Sequence, residues 1–290
     1  MSSTNPYAFG ALEAEQLIKG WHITTLPIDP FAIAAERRIE VRAMPAENTG
    51  VSGMLVHVDQ EYAIAYATHI DNEPFQRFSV SHELGHYFLP GHVDAVIDAR
   101  GIHESHAQFV SKDRYEMEAD GFAAGLLMPR HLFFSVLERA GQGLAAVEGL
   151  AKLCKTSLHS TAIRYSQCTR DPVAIVVSSG NIIDHCFMSE ALKALDGIDW
   201  IRKREALPPS SPTFAFNQDA EKVRTSKRIE ETANFQDWFG GSRNIEISED
   251  VIGLGGYGKT LTVLYDINVP EPEDDDEASL IESWTPRFRR

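Results

Sequence analysis

Phe78-Ser79-Val80-Ser81-His82-Glu83-Leu84-Gly85-His86 carries two histidines four residues apart, with a glutamate directly after the first. The run lies in an apolar helical pattern (Phe75, Phe78, Val80, Leu84, Tyr87, Phe88), which reads as a helix from Glu73 through Tyr87. On a helix, side chains at i and i+4 stand one above the other, so His82 and His86 both reach one Zn2+ at about 2.0–2.1 Å. The apolar setting argues against two merely solvated histidines. Glu83 follows His82 directly and is placed to take the proton of a water that the metal acidifies. Gly85 reads as a small residue that leaves room beside the metal for substrate or a neighbouring strand.

A catalytic zinc needs a third protein ligand, and the next helical pattern, Arg114 to Leu127, supplies carboxylates. Glu118 shares a face with Tyr115, Phe122 and Leu126 and is the expected ligand. Glu116 is the alternative. It lies on the side of Asp120, and one of that i, i+4 pair would then orient a ligand histidine. His92, His103 and His106 fall in the stretch between the two helices, Leu89 to Lys112, which reads as a loop. Any of them is able to complete the site in place of Glu118 or to bind a developing oxyanion, although a solvated loop histidine is the plainer reading. His57 and His69 are weaker candidates.

Upstream, residues 7–20 have the spacing of a short amphipathic helix, and Leu26-Pro27-Ile28-Asp29-Pro30 is a capped start for a second. Ile39–Ala43, Ser52–Val58 and Tyr62–Thr68 read as a three-stranded antiparallel sheet. Were Tyr62–Thr68 its edge, that strand would pair with an extended substrate segment. Downstream, Leu144–Cys154 and Leu158–Gln167 have the length and break of a helix-turn-helix. From Pro172 an α+β unit begins, with Val173–Val177 a buried strand turning through Ser178–Asn181 into Ile182–Phe187. Asn244–Ile247 and Leu261–Tyr265 read as further strands. Gly253–Thr260 fits the phosphate-loop pattern G-x-x-x-x-G-K-T, but strand character follows it instead of a helix, so it reads as a glycine-rich turn and not a nucleotide site. Glu271–Glu282 holds seven acids and no base and is expected to stay solvated.

The chain has 290 residues, 43% hydrophobic, enough to bury a sizeable core. Its formal charge of −15 opposes non-specific attraction to nucleic acid or anionic lipid, so direct DNA binding is disfavoured. Cys154, Cys168 and Cys186, an odd number widely spaced, fit neither a disulfide framework nor a thiolate cluster, and a reducing cytoplasm is the expected location. No run approaches the ~20 apolar residues needed to span a bilayer, and the first twenty residues lack the basic start and apolar run of a signal peptide.

HELGH followed about thirty residues later by the ExEADxFAAxLLMP pattern at 116–129 resembles the ImmA/IrrE family of cytoplasmic zinc metallo-endopeptidases, and the resemblance covers roughly residues 10–135. It implies an α+β, zincin-like peptidase domain over residues 1–140; the helix-turn-helix at 141–170 and the α+β unit at 171–270, expected to be a GAF-like sensory domain, follow in the order of some members, and 271–290 is an acidic disordered tail. Carried over, it makes His82, His86 and Glu118 ligands of Zn2+ and Glu83 the general base. The substrate it implies is a helix-turn-helix repressor, cleaved to relieve repression under stress or mobile-element induction. The competing expectation is a DNA-binding transcription regulator whose zinc is structural, closed by four protein ligands instead of three and a water. All three expected ligands lie within residues 1–170, so that segment is expected to bind the metal alone.

Overall fold

The computed structural model of the chain describes residues 5–106 and 113–268. The acidic segment 271–290 lies outside the described residues. α1 (Pro6–Gly20) opens at Asn5, whose side chain accepts from the Tyr7 N–H, and α2 (Pro30–Glu36) repeats the device with Asp29 and the Phe31 N–H. After β1 (Glu40–Ala43), β2 (Val51–Val58) and β3 (Glu61–Tyr66), α3 (Glu73–Phe88) starts at Asn72, and a single turn, α4 (His92–Val96), follows it. β4 (Ile102–His106) and α5 (Arg114–Leu127) complete the part of the chain that carries the sequence motifs.

The sheet differs from the sequence expectation in three ways. It has four strands, in the order β1-β3-β2-β4. β1 runs parallel to β3, because only β2 and β3 are joined by a tight hairpin, at Asp59 and Gln60, both left-handed, while a longer connection carries β1 past it. β3 is therefore interior and not the edge. The fourth strand, β4, pairs with β2 inside the stretch read as a loop; its sequence, IHESH, is too polar to signal a strand.

α5 is clamped between α1 and α3 by residues without side chains. A Cβ on Gly121 would lie 2.0 Å from the Tyr7 carbonyl oxygen, and one on Gly125 would lie 2.5 Å from that of Ala11. On the other side, a Cβ on Gly85 would meet Ala119 Cα at 3.1 Å. Gly85 thus admits α5, not substrate. Ile18, Ile33, Leu55, Ile64, Leu84 and Phe122 form the core beneath the sheet.

α6 (Arg130–Leu137), α7 (Gly143–Cys154) and α8 (Leu158–Cys168) follow, the last two joined through a left-handed Lys155 with Ser157 as cap. The C-terminal unit runs β5 (Ala174–Ser179), β6 (Ile182–Met188), α9 (Glu190–Lys193), α10 (Pro212–Asn217), α11 (Ala220–Arg224), β7 (Arg228–Asn234), α12 (Phe235–Phe239), β8 (Glu246–Gly253) and β9 (Thr260–Tyr265). Its antiparallel sheet has the order β6-β5-β9-β8-β7. The charged β7, RIEETAN, carries no strand signal in the sequence. Gly253–Thr260 joins β8 to β9 through one 3-10 turn, with Lys259 paired to Asp184 at 3.0 Å and no helix opening at Lys-Thr. A single apolar cluster runs from Leu127 and Phe133 through Leu144, Val147, Leu150 and Tyr165 to Ile175, Val177, Leu261 and Val263. Asp250 of β8 also accepts from the Leu144 N–H at the start of α7. A chain cut at residue 170 would therefore bare the apolar faces of α7 and α8.

Two glycine substitutions separate close approach from backbone entropy. Gly121→Ala, driven into the Tyr7 backbone, should lower stability by about 1–3 kcal/mol. Gly149→Ala, exposed in α7 with nothing near its Cβ position, should raise it by about 0.5–1 kcal/mol. Denaturant unfolding measures both; equal effects would refute the clamped packing.

Candidate metal centre

α3 and α5 together build one cluster of donors. His82 Nε2 and His86 Nε2 lie 3.1 Å apart. Glu116 reaches both, its Oε2 3.3 Å from His82 Nε2 and its Oε1 3.4 Å from His86 Nε2. Four-coordinate ligands on bonds near 2.1 Å stand about 3.4 Å apart, so these three atoms already have the spacing of one face of a tetrahedral site. His103, on β4, brings a fourth donor: the four ligand atoms all fall within 4.8 Å of one another. His103 Nε2 is 3.2 Å from Glu116 Oε1 and 3.2 Å from Ser105 Oγ, so it meets the carboxylate and a hydroxyl of its own strand.

The structure places Glu118 elsewhere. The residue is buried on the inward face, as its spacing suggests, yet its carboxylate accepts from His92 Nε2 at 2.9 Å and from Arg114 Nε at 2.6 Å. The side of α5 that meets the α3 histidines is that of the i, i+4 pair Glu116 and Asp120: Glu116 joins the donor triangle, while Asp120 Oδ1 takes the His82 Nδ1 proton at 2.9 Å. His106 binds the Gly50 carbonyl and His57 stacks on Tyr62, both apart from the cluster.

The electrostatics are those of a site that wants a cation. Burial works against the charged form of His82, but hydrogen bonds to Asp120 and Glu116 outweigh it and carry its pKa up to about 10. A proton occupies the place a cation would take, and binding a metal would release it. His86 goes the other way: burial, only partly opposed by Glu116, brings its pKa down to about 3 and leaves the ring neutral. Burial also works against ionised Glu116, but the hydrogen bonds of His103, His82 and His86 more than compensate and hold it well below the usual carboxylate range.

Glu83 is the exception. It is fully buried, and neither carboxylate oxygen has a hydrogen-bond partner. Burial raises its pKa, against the charges of His82 and His103 and the pull of the nearby Ser105 hydroxyl. Such an orphaned carboxylate is costly unless it serves a bound molecule. Gly53 of β2 makes the space, since a Cβ there would sit 2.4 Å from Glu83 Oε1. A glycine inside a strand pattern was the one sequence signal for this approach. His103 was legible only as one of three loop histidines.

Residues 34–166 match the model of the Peptidase M78 family, described as the IrrE N-terminal-like domain. Over these residues the chain is similar to the IrrE N-terminal-like domain, which spans a little less than half of it. It is 32% identical over 102 residues to the radiation response metalloprotease IrrE of Deinococcus radiodurans, a match that spans 35% of this chain and 30% of that protein. Among solved structures, a Mycobacterium tuberculosis transcriptional regulator shares the fold at a TM-score of 0.53 with 14% identity, over 89% of this chain and 88% of the other.

Replacing Glu116 by Ala should abolish stoichiometric binding of a divalent metal, because it removes the anionic donor common to both histidines. Metal content after dialysis against metal-free buffer measures it; one metal still bound per chain would exclude Glu116 as a ligand.

Proposed function

We propose that this chain is a cytoplasmic, zinc-dependent endopeptidase whose substrate is a helix-turn-helix transcriptional repressor. The observation that carries the peptidase reading is the orphaned, buried Glu83 carboxylate beside a triangle of donors from His82, His86 and Glu116. His82, His86 and Glu116 would hold the zinc, which would supply Lewis acidity toward the scissile carbonyl and a water. Glu83 accepts that water's proton and passes it to the leaving amine, its raised pKa suiting it to both transfers. Gly53 keeps the carboxylate free to move, and His103 is near enough to donate to the developing oxyanion.

Among the described residues β4 pairs only with β2, so its outer edge is open to an extended segment of substrate next to His103. This replaces β3 as the docking strand. The repressor substrate and its release under stress rest on the family resemblance. A sensory, GAF-like role for the C-terminal five-stranded sheet likewise rests on the family resemblance.

The competing reading, a DNA-binding regulator with a structural metal, needs His103 to close the site as a fourth ligand and α8 to enter a major groove. Thr161, Ala162, Arg164, Tyr165, Ser166 and Cys168 of α8 are buried, and Arg164 is held by the Ala124 carbonyl and Glu15, which favours the peptidase.

Incubation with repressors encoded near its own gene, with and without chelator, tests the proposal. Glu83→Gln should keep its metal and lose about 10²-fold or more in cleavage, and Gly53→Ala should likewise keep the metal while slowing cleavage by displacing Glu83. A Glu83→Gln variant that cuts at the parent rate would refute the role of Glu83.

A further inference from the structure

Behind His86 runs a chain of buried polar groups that the metal site does not use directly. His86 Nδ1 lies 3.2 Å from His92 Nδ1, His92 Nε2 lies 2.9 Å from Glu118 Oε2, and Glu118 Oε1 takes the Arg114 Nε–H at 2.6 Å. His86 and His92 have no exposed surface, and Glu118 has 3%. Arg114 alone reaches solvent.

With a cation in the triangle in place of the His82 proton and the His86–Glu116 hydrogen bond, the protons along this chain have one consistent arrangement. Glu118 accepts the Arg114 Nε–H at Oε1 and faces His92 Nε2 with Oε2, so His92 Nε2 carries the hydrogen of that contact. A neutral His92 then presents a lone pair at Nδ1, which requires His86 Nδ1 to donate. His86 Nε2 is left as a lone pair, aimed into the donor triangle with His82 and Glu116. His82 reaches the same state by one step, through Asp120.

We infer that His92 and Glu118 are positioning residues that select the tautomer and fix the ring of His86 for metal binding, the charge of Glu118 acting through His92. Glu118, expected from sequence as a ligand, would thus serve the metal from two residues away. This rests on the proposed metal site. It differs from ordinary packing in one respect: the effect of Glu118 must pass through His92. A carboxylate two links behind a ligand imidazole strengthens that nitrogen as a donor, and groups in this position are typically worth about 10–100-fold in metal affinity.

The test is a double-mutant cycle on the full-length protein, read as Zn2+ affinity against a competing chelator and as the visible spectrum of the Co2+-loaded protein. His92→Phe keeps an aromatic ring but offers no acceptor, and should weaken Zn2+ binding about 10–100-fold and alter the Co2+ spectrum. Glu118→Gln should weaken it less and still bind one metal at saturation. His92→Gln, whose amide oxygen accepts from His86 Nδ1, should recover part of the loss. The decisive figure is the coupling. In a His92→Phe background, Glu118→Gln should cost nothing further. Additive losses, or parent affinity in His92→Phe, would overturn the inference, and loss of stoichiometric metal in Glu118→Gln would make Glu118 a ligand after all. A parent protein that binds neither Zn2+ nor Co2+ would instead refute the metal site itself.

Discussion

The contact between Gly85 of α3 and Ala119 of α5 is the constraint on which the rest of the site depends. With hydrogen alone on Gly85, the two helices approach until a Cβ would touch the opposing backbone. At that separation short acidic side chains on α5 reach the imidazoles of α3 without crossing a layer of apolar side chains. α1 presses on α5 from the other side through Gly121 and Gly125, so α5 can neither retreat nor roll. Once its rotation is set, Glu116 and Asp120 meet His82 together, and Glu118 is carried to His92.

This packing concentrates charge where apolar surroundings make charge expensive. His82, Glu83, His86, His92 and Glu118 are all buried, and burial of that many ionisable groups is tolerable only if each has a partner. All but one do. Asp120 serves His82, Glu116 serves both metal-facing imidazoles, and His92 links His86 to Glu118. The unserved group is Glu83, in a space that Gly53 keeps open. A fold that satisfies every neighbour and leaves one carboxylate bare marks that carboxylate as the group with work to do on a bound molecule.

Much of this was legible in the residues. The histidine spacing, the helical patterns from Glu73 and Arg114 and the LPIDP start announce α2, α3 and α5 within a residue or two, because local periodicity decides them. The choice between Glu116 and Glu118 was not legible by facing alone: both lie near the contact, and which reaches His82 depends on α5's rotation, set by distant glycines. β4 stayed hidden since IHESH spends its positions on polar groups, and β1's parallel pairing follows from a connection, not from its own residues. The shared core of α7, α8 and the C-terminal sheet was equally silent, as apolar faces do not name their partners.

The most direct test is a crystal structure of the metal-loaded protein with diffraction recorded at the metal's absorption edge. The account requires one anomalous peak about 2.0–2.1 Å from His82 Nε2, His86 Nε2 and a Glu116 oxygen, with Glu118 still bonded to His92. A peak coordinated by Glu118, or one lying away from His82 and His86, would contradict it.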